Sequence, residues 1–264
     1  MKQKIIDFAY LKRFNLLMGG LHLLQGILML IFAYTLIPNS PFAGFKPEIV
    51  QNFLRFDFVL QTLVLDSRVL FQLPFAVLVA SFLFISAIAH MIIVSPRFNK
   101  VYNADLEKGM NRFRWFEYAL SSSVMIVLIA TLFGITDIVS LILIFVLNAS
   151  MNLFGYLMEL LNQKTGKVNW LPFIFGSLAG IAPWAAILIY MFGTADLSLV
   201  PWFVWAIVIT YFVAFNTFPV NMVLQYKKVG KWKNYLYGER VYIILSLVAK
   251  SLLAWLVLFG AMQP

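Results

Sequence analysis

The chain has 264 residues, 62% of them hydrophobic and only 12% charged, a balance outside the range of soluble globular domains. It contains no cysteine, which excludes disulfides, thiolate catalysis and cysteine-based metal sites. A net charge of +9 would suggest nucleic acid for a soluble protein, but its distribution along this chain marks an integral membrane protein and no nucleic-acid partner.

A bilayer is crossed by roughly 20 apolar residues at about 1.5 Å each. Runs of that kind fall at about 14–37, 73–95, 115–135, 138–161, 170–192, 200–223 and 241–262. Seven such spans use nearly the whole sequence, so the expectation is an all-α seven-helix membrane bundle forming one domain, 1–264. The first span follows the basic start MKQKIIDFAYLKRF. It is long and has no small-residue cleavage site after it, so it reads as a helix and not as a signal peptide.

Between the first two spans, the segment from Pro38 to Gln72 is too long for a simple turn. Its stretch LRFDFVLQTLVLDSRVLF alternates charge with Phe, Val and Leu, which reads as a short antiparallel hairpin on the outer surface, with a membrane-interface helix as the alternative. The N-terminus and the second, fourth and sixth loops hold 16 Lys and Arg residues, and the opposite side holds 3. The positive-inside rule therefore puts the N-terminus in the cytoplasm and the C-terminus outside the cell. The basic sixth loop, QYKKVGKWKNYLYGER, reads as an orientation signal and an anionic-lipid contact, or as a docking site for a cytoplasmic partner.

Inside hydrocarbon a charge costs several kcal/mol, so every ionisable residue within a span is a functional candidate in need of a partner. Five stand out: His22, His90, Glu117, Glu159 and Lys250. Counting residues inward from the basic boundary places His22, His90 and Lys250 roughly 7–15 Å deep in the cytoplasmic half. Glu117 follows Arg114 by three residues, and it joins them if the arginines of RFRWFEY snorkel. Two readings of Lys250 stand side by side. One is a structural lysine paired to Glu117 to survive in the bilayer. The other is an amine that forms a Schiff base with an aldehyde cofactor, for which an apolar cavity and a carboxylate counterion are required.

Helical spacing puts Tyr242, Ser246 and Lys250 on one face, and Glu117, Ser121 and Met125 on another. The fourth span offers Asn148 and Met151, and the fifth carries Pro183 and Trp184 within GSLAGIAPWAAIL. Such aromatic and methionine side chains suit an elongated apolar ligand, although each taken singly also suits packing.

The segments RWFEY at 114–118, NLFGYLMEL at 152–160, NTFPVNMVLQY at 216–226 and GERVYIILSLVAKSLLAW at 238–255 together resemble the heliorhodopsins. The resemblance spans all seven helices. It includes the inverted orientation, since animal and ordinary microbial rhodopsins carry the opposite one. It implies all-trans retinal held on Lys250 as a protonated Schiff base, Glu117 as counterion and Ser246 as the hydroxyl beside the imine. His22 and His90 resemble the paired histidines of a cytoplasmic-side polar cavity, and Glu159 a further polar group toward that end. Asn148, Met151, Pro183, Phe215 and Trp255 resemble pocket lining, and Ser121 and Met125, on the face of Glu117, are expected to join them. The outer hairpin and a homodimer through the fourth and fifth spans and the first outer loop are also implied.

The third span offers one carboxylate and no second one deeper on its face, whereas an ordinary microbial proton pump wants an acceptor and a donor on opposite sides of the imine. With Asp137 and Asp196 assigned to turns, proton movement confined to the cytoplasmic half is what the layout permits. The expectation is a photosensory retinal protein that signals to a cytoplasmic partner and is not an enzyme. A light-driven transporter or channel, or a seven-helix protein without chromophore, remains open. No HExxH or paired ExxH spacing accompanies the histidines, no nucleophile elbow surrounds the SSS at 121–123, and there is no phosphate-binding glycine loop. Gly176 and Gly180 permit close helix approach, either within the bundle or across a dimer interface.

Overall fold

The computed structural model describes residues 6–36, 46–163, 166–193 and 200–260. The start of the Pro38–Gln72 segment and Asp196 lie outside the described residues. Seven helices long and apolar enough to cross a membrane are present: α1 (Phe8–Thr35), α2 (Phe75–Val94), α4 (Arg112–Leu132), α5 (Ile138–Leu161), α6 (Leu171–Phe192), α7 (Trp202–Tyr226) and α8 (Tyr235–Gly260). An eighth helix, α3 (Pro96–Glu107), sits in the connection read above as a loop. It is short and polar, so no membrane-length apolar run marks it. Its local signal is Pro96 at the first turn, where a missing N–H costs nothing.

Side-chain caps set several helix starts. Asp7 accepts from the Tyr10 N–H at 2.7 Å, so α1 begins about two turns earlier than the apolar run does. Asn111 caps α4 by accepting from the Arg114 N–H, and Asp137 caps α5 through Ser140. Neighbouring helices pack around a ring in the order α1, α2, α4, α5 and α6, with α7 against α8 and α8 back against α1. Between α6 and α7, the Trp184 ring meets Phe212 and Phe215 edge-on at 5.4 and 5.8 Å.

The first long connection forms the expected hairpin, β1 (Glu48–Asp57) paired antiparallel with β2 (Thr62–Gln72). Asp57 makes its turn, accepting from the N–H groups of Val59 and Leu60, and Gln61 takes the left-handed conformation at φ 50. The hairpin is fastened to the bundle. Val50 N–H donates to the Thr136 carbonyl, both nitrogens of Asn52 donate to the Asp137 carboxylate, and Ile49 is fully buried.

The core divides along the membrane normal. The hairpin-side half is a continuous apolar cluster that includes Phe82, Ile126, Ile129, Ile187, Ile207 and Leu253. The basic-side half holds the buried polar groups Asn15, Asp105, Asn111, Arg114, Glu159 and Glu239. In hydrocarbon such groups survive only in pairs, and the geometry below supplies the pairs.

Candidate functional site

Lys250 lies on α8 with its side chain 4% exposed, and its Nζ donates to Glu117 Oε1 on α4 and to Ser246 Oγ one turn earlier, both at 2.8 Å. Glu117 accepts a second bond, from Ser86 Oγ on α2 at 2.6 Å. Three helices thus meet at one buried ion pair. Burying a lone charge would cost far more than the pair returns, so each ion is the condition for the other. Ser121, one turn along from Glu117, faces the same carboxylate.

Two imidazoles complete this side of the site. His22 on α1 stacks on His90 on α2 with ring centroids 5.6 Å apart. His90 Nδ1 is hydrogen-bonded to Asn15 Oδ1 at 2.7 Å, whereas both nitrogens of the fully buried His22 have no hydrogen-bond partner among the described residues. Lys250 acts electrostatically on both rings. His22, His90 and Lys250 thus lie on one side of the bundle, and Glu117, which the depth count left shallower, is joined to them through Lys250 and through Ser86, one turn from His90.

Glu159 is placed elsewhere. It belongs to a second buried cluster in which Arg114 is clasped between Glu159 on α5 and Glu239 on α8. Asn111 donates its backbone N–H to Glu159 and its side-chain amide to Glu239, at 2.8 and 2.7 Å. Trp115 Nε1 donates to Glu159 at 2.6 Å, and the hydroxyls of Tyr235 and Tyr102 reach Glu159 and Glu239. Arg114 accordingly does not snorkel to the surface. Two carboxylates hold it at 5% exposure, and the guanidinium lies over the Tyr242 ring at 4.0 Å.

Beyond Lys250 a cavity of about 510 Å³ opens between α4, α5, α6, α7 and α8. Met125, Met151, Phe215, Ser246 and Lys250 line it, together with Trp115, Tyr118, Trp184, Phe212 and Phe218. Ser121, Asn148, Pro183 and Trp255 do not. Asn148 turns to Ser122 and Ser123, donating at 2.7 and 3.0 Å. Trp184, next to Pro183 in the chain, lines the wall instead of it. Trp255 is five residues past Lys250, about 140° round the helix, and points at α1, where its Nε1 donates to Gln25.

Gly176 and Gly180 also line the cavity and sit against α5. A Cβ at Gly176 would come within 3.1 Å of Phe154 Cβ, and one at Gly180 would run into Met151. These glycines thus serve packing within the bundle. Trp115, Tyr118 and Glu239 were not singled out from the sequence. All three lie within quoted motifs, next to Arg114, Glu117 and Arg240, and a count of ionisable residues facing the bundle would have found Glu239.

The fold and this site define a class: a multi-pass seven-helix membrane protein with an apolar cavity lined by a buried lysine and with a carboxylate at the amine. The heliorhodopsin family model matches residues 11–262, and the chain belongs to the heliorhodopsin family of retinal-binding, light-sensing membrane rhodopsins. No curated protein matches the chain. The cavity suits the retinal that the family implies. Its volume falls within the usual ligand range of about 300–1,000 Å³, its walls are rich in aromatic and methionine side chains, and among the described residues Lys250 is the one amine that lines it.

Proposed function

We propose that the chain is a photosensory protein in which Lys250 is the attachment point for all-trans retinal and Glu117 its counterion. When bound, the chromophore supplies light absorption and isomerisation about a double bond, as a protonated imine on Lys250 Nζ. The observation that carries this reading is the buried Lys250–Glu117 pair at 2.8 Å, whose lysine lines an apolar cavity of about 510 Å³. A purely structural lysine would have no use for the cavity.

Each residue has a task in this reading. Glu117 holds a positive charge at Nζ in a low-dielectric setting where solvent cannot. Ser86 keeps one carboxylate oxygen oriented, and Ser246 gives Nζ a second acceptor. His22 and His90 provide proton sites on the same side as Glu117, and His22 is the better placed acceptor because neither of its nitrogens is engaged by protein. Beyond His90 the polar chain runs through the Asn15 amide, which does not relay protons as a hydroxyl or carboxylate does. On the hairpin side the core is apolar, and this supports proton movement confined to one half of the membrane and a sensory role over a pump.

The excess of basic residues on the face with the N-terminus, α3 and the 226–235 connection supports a cytoplasmic N-terminus. The same face is the natural contact for a signalling partner. A homodimer through α5, α6 and the hairpin is supported by outward apolar side chains such as Ile142, Val146, Leu63 and Leu65.

The test is an absorption spectrum of protein expressed with all-trans retinal, before and after hydroxylamine under light. A visible band that bleaches is expected; a folded protein with no band returns Lys250 to the structural reading. Sustained light-driven acidification or alkalinisation by cells, abolished by a protonophore, would overturn the sensory assignment in favour of transport.

A further inference from the structure

Trp115 belongs to both buried regions. It lines the cavity alongside Tyr118, Gly155 and Lys250, and its indole N–H donates to Glu159 Oε2 at 2.6 Å. Among the described residues, it is the one cavity-lining side chain with a hydrogen bond to Glu159 or Glu239. The ring is held by shape as well. Arg114 lies over it at 4.9 Å, Tyr242 and Tyr118 meet it edge-on at 6.2 and 6.3 Å, and its far edge lies on Gly155, where a side chain would collide with it.

What Trp115 touches on its polar edge is a three-helix clamp. Arg114 at the start of α4 is gripped by Glu159 at the end of α5 and Glu239 at the start of α8. Asn111 ties both carboxylates to the α4 cap. Glu159 Oε2 receives two donors, the Trp115 and Asn111 N–H groups. Loss of one changes the carboxylate's orientation toward Arg114, and in a buried network a half-satisfied member weakens the rest. Packed interiors pass on a small displacement because they have no slack to absorb it.

We propose that Trp115 is the output residue of the light response. A change of shape in the cavity displaces the indole, its N–H leaves Glu159, and the Arg114 clamp over the ends of α4, α5 and α8 loosens, altering the basic face. This rests on the light-sensing reading of Lys250 given above. It assigns Trp115 a positioning role, exerted through Glu159, and no part in the chemistry at the amine.

The absence of cysteine allows a clean distance measurement. Lys108→Cys, just before α4, and Lys231→Cys, just before α8, are both exposed and take spin labels in the full-length chain carrying retinal. Illumination is expected to shift the inter-label distance by ~1–2 Å, the scale of helix shifts in switching proteins. Trp115→Phe keeps a ring and removes the N–H, and it should abolish that shift when the signal is normalised to the visible pigment formed. Gly155→Ala pushes the ring from the other side and should move the dark distance toward the illuminated value. A wild-type chain without a visible band defeats the light-sensing reading and this one with it. A band with no light-induced shift, an undiminished shift in Trp115→Phe, or an unmoved dark distance in Gly155→Ala overturns the output assignment alone.

Discussion

Two ion clusters lie buried in the same half of this membrane bundle, and they are built on different plans. Around Arg114 there are two carboxylates, an asparagine cap, an indole and two tyrosine hydroxyls. Around Lys250 there are one carboxylate and two serines, next to a pair of histidines and an open cavity. The first cluster is closed and multiply bonded, which is how a buried charge is made structural. The second leaves its cation at the wall of an apolar cavity, an arrangement that stability alone does not call for. A buried charge is thus a weak sign of function by itself, and a buried charge facing a cavity is a stronger one.

The largest effect expected from this contrast is at the amine. Lys250→Ala should remove the visible band entirely, and a residual band at the wild-type wavelength would show that the chromophore is held elsewhere. Arg114→Ala should act on stability. It strands two buried carboxylates at a cost of about 3–5 kcal/mol, read as a large fall in thermal midpoint in detergent; a midpoint close to wild type would mean that the clamp is dispensable. Glu117→Gln should preserve the fold, because Ser86 still finds an amide oxygen and the nitrogen on Lys250 can shed its charge by losing a proton. It should shift absorption toward the near-ultraviolet at neutral pH, and an unchanged spectrum would assign the counterion to another group.

The smallest effect lies on the hairpin side. The Asp137 carboxyl is held below the usual carboxylate range, chiefly by the Ser140 backbone N–H it caps, with Asn52 adding to the effect. A carboxyl lowered on folding stabilises the protein above its unfolded pKa and loses that contribution as pH falls through its lower folded value. Asp137→Ala should therefore cost about 1 kcal/mol at neutral pH. Its stability gap to wild type should close on acidification below the ordinary carboxylate range. A gap that stays constant with pH would mean that the carboxyl acts without its charge, and no gap at any pH that the hairpin is anchored by Val50 and Ile49 alone.

Much of the fold was legible because the bilayer imposes simple rules on a sequence. Seven apolar runs gave seven spans, and alternation over residues 54–71 gave the hairpin. Lys250 and Glu117 were legible because a charge inside an apolar run is conspicuous. The Arg114 clamp was not, because Arg114, Glu159 and Glu239 each sit within a few residues of a loop, where a charge looks solvated until three helix ends close over it. Glu159 consequently went with the histidines in the sequence reading and with Arg114 in the structure. The glycines at 176 and 180 could have faced a partner or a neighbour, and the spacing was silent on which.

The sequence by itself determined the membrane class, the number of spans and the presence of Lys250 and Glu117 inside apolar runs, and it favoured the hairpin, since these follow from local composition and periodicity. Tertiary structure alone decided which ions pair and which side chains line the cavity. It also decided that Trp115 joins the cavity to the clamp. Those outcomes depend on the rotation of each helix about its axis and on contacts between residues far apart in the chain, and hydropathy carries no record of either.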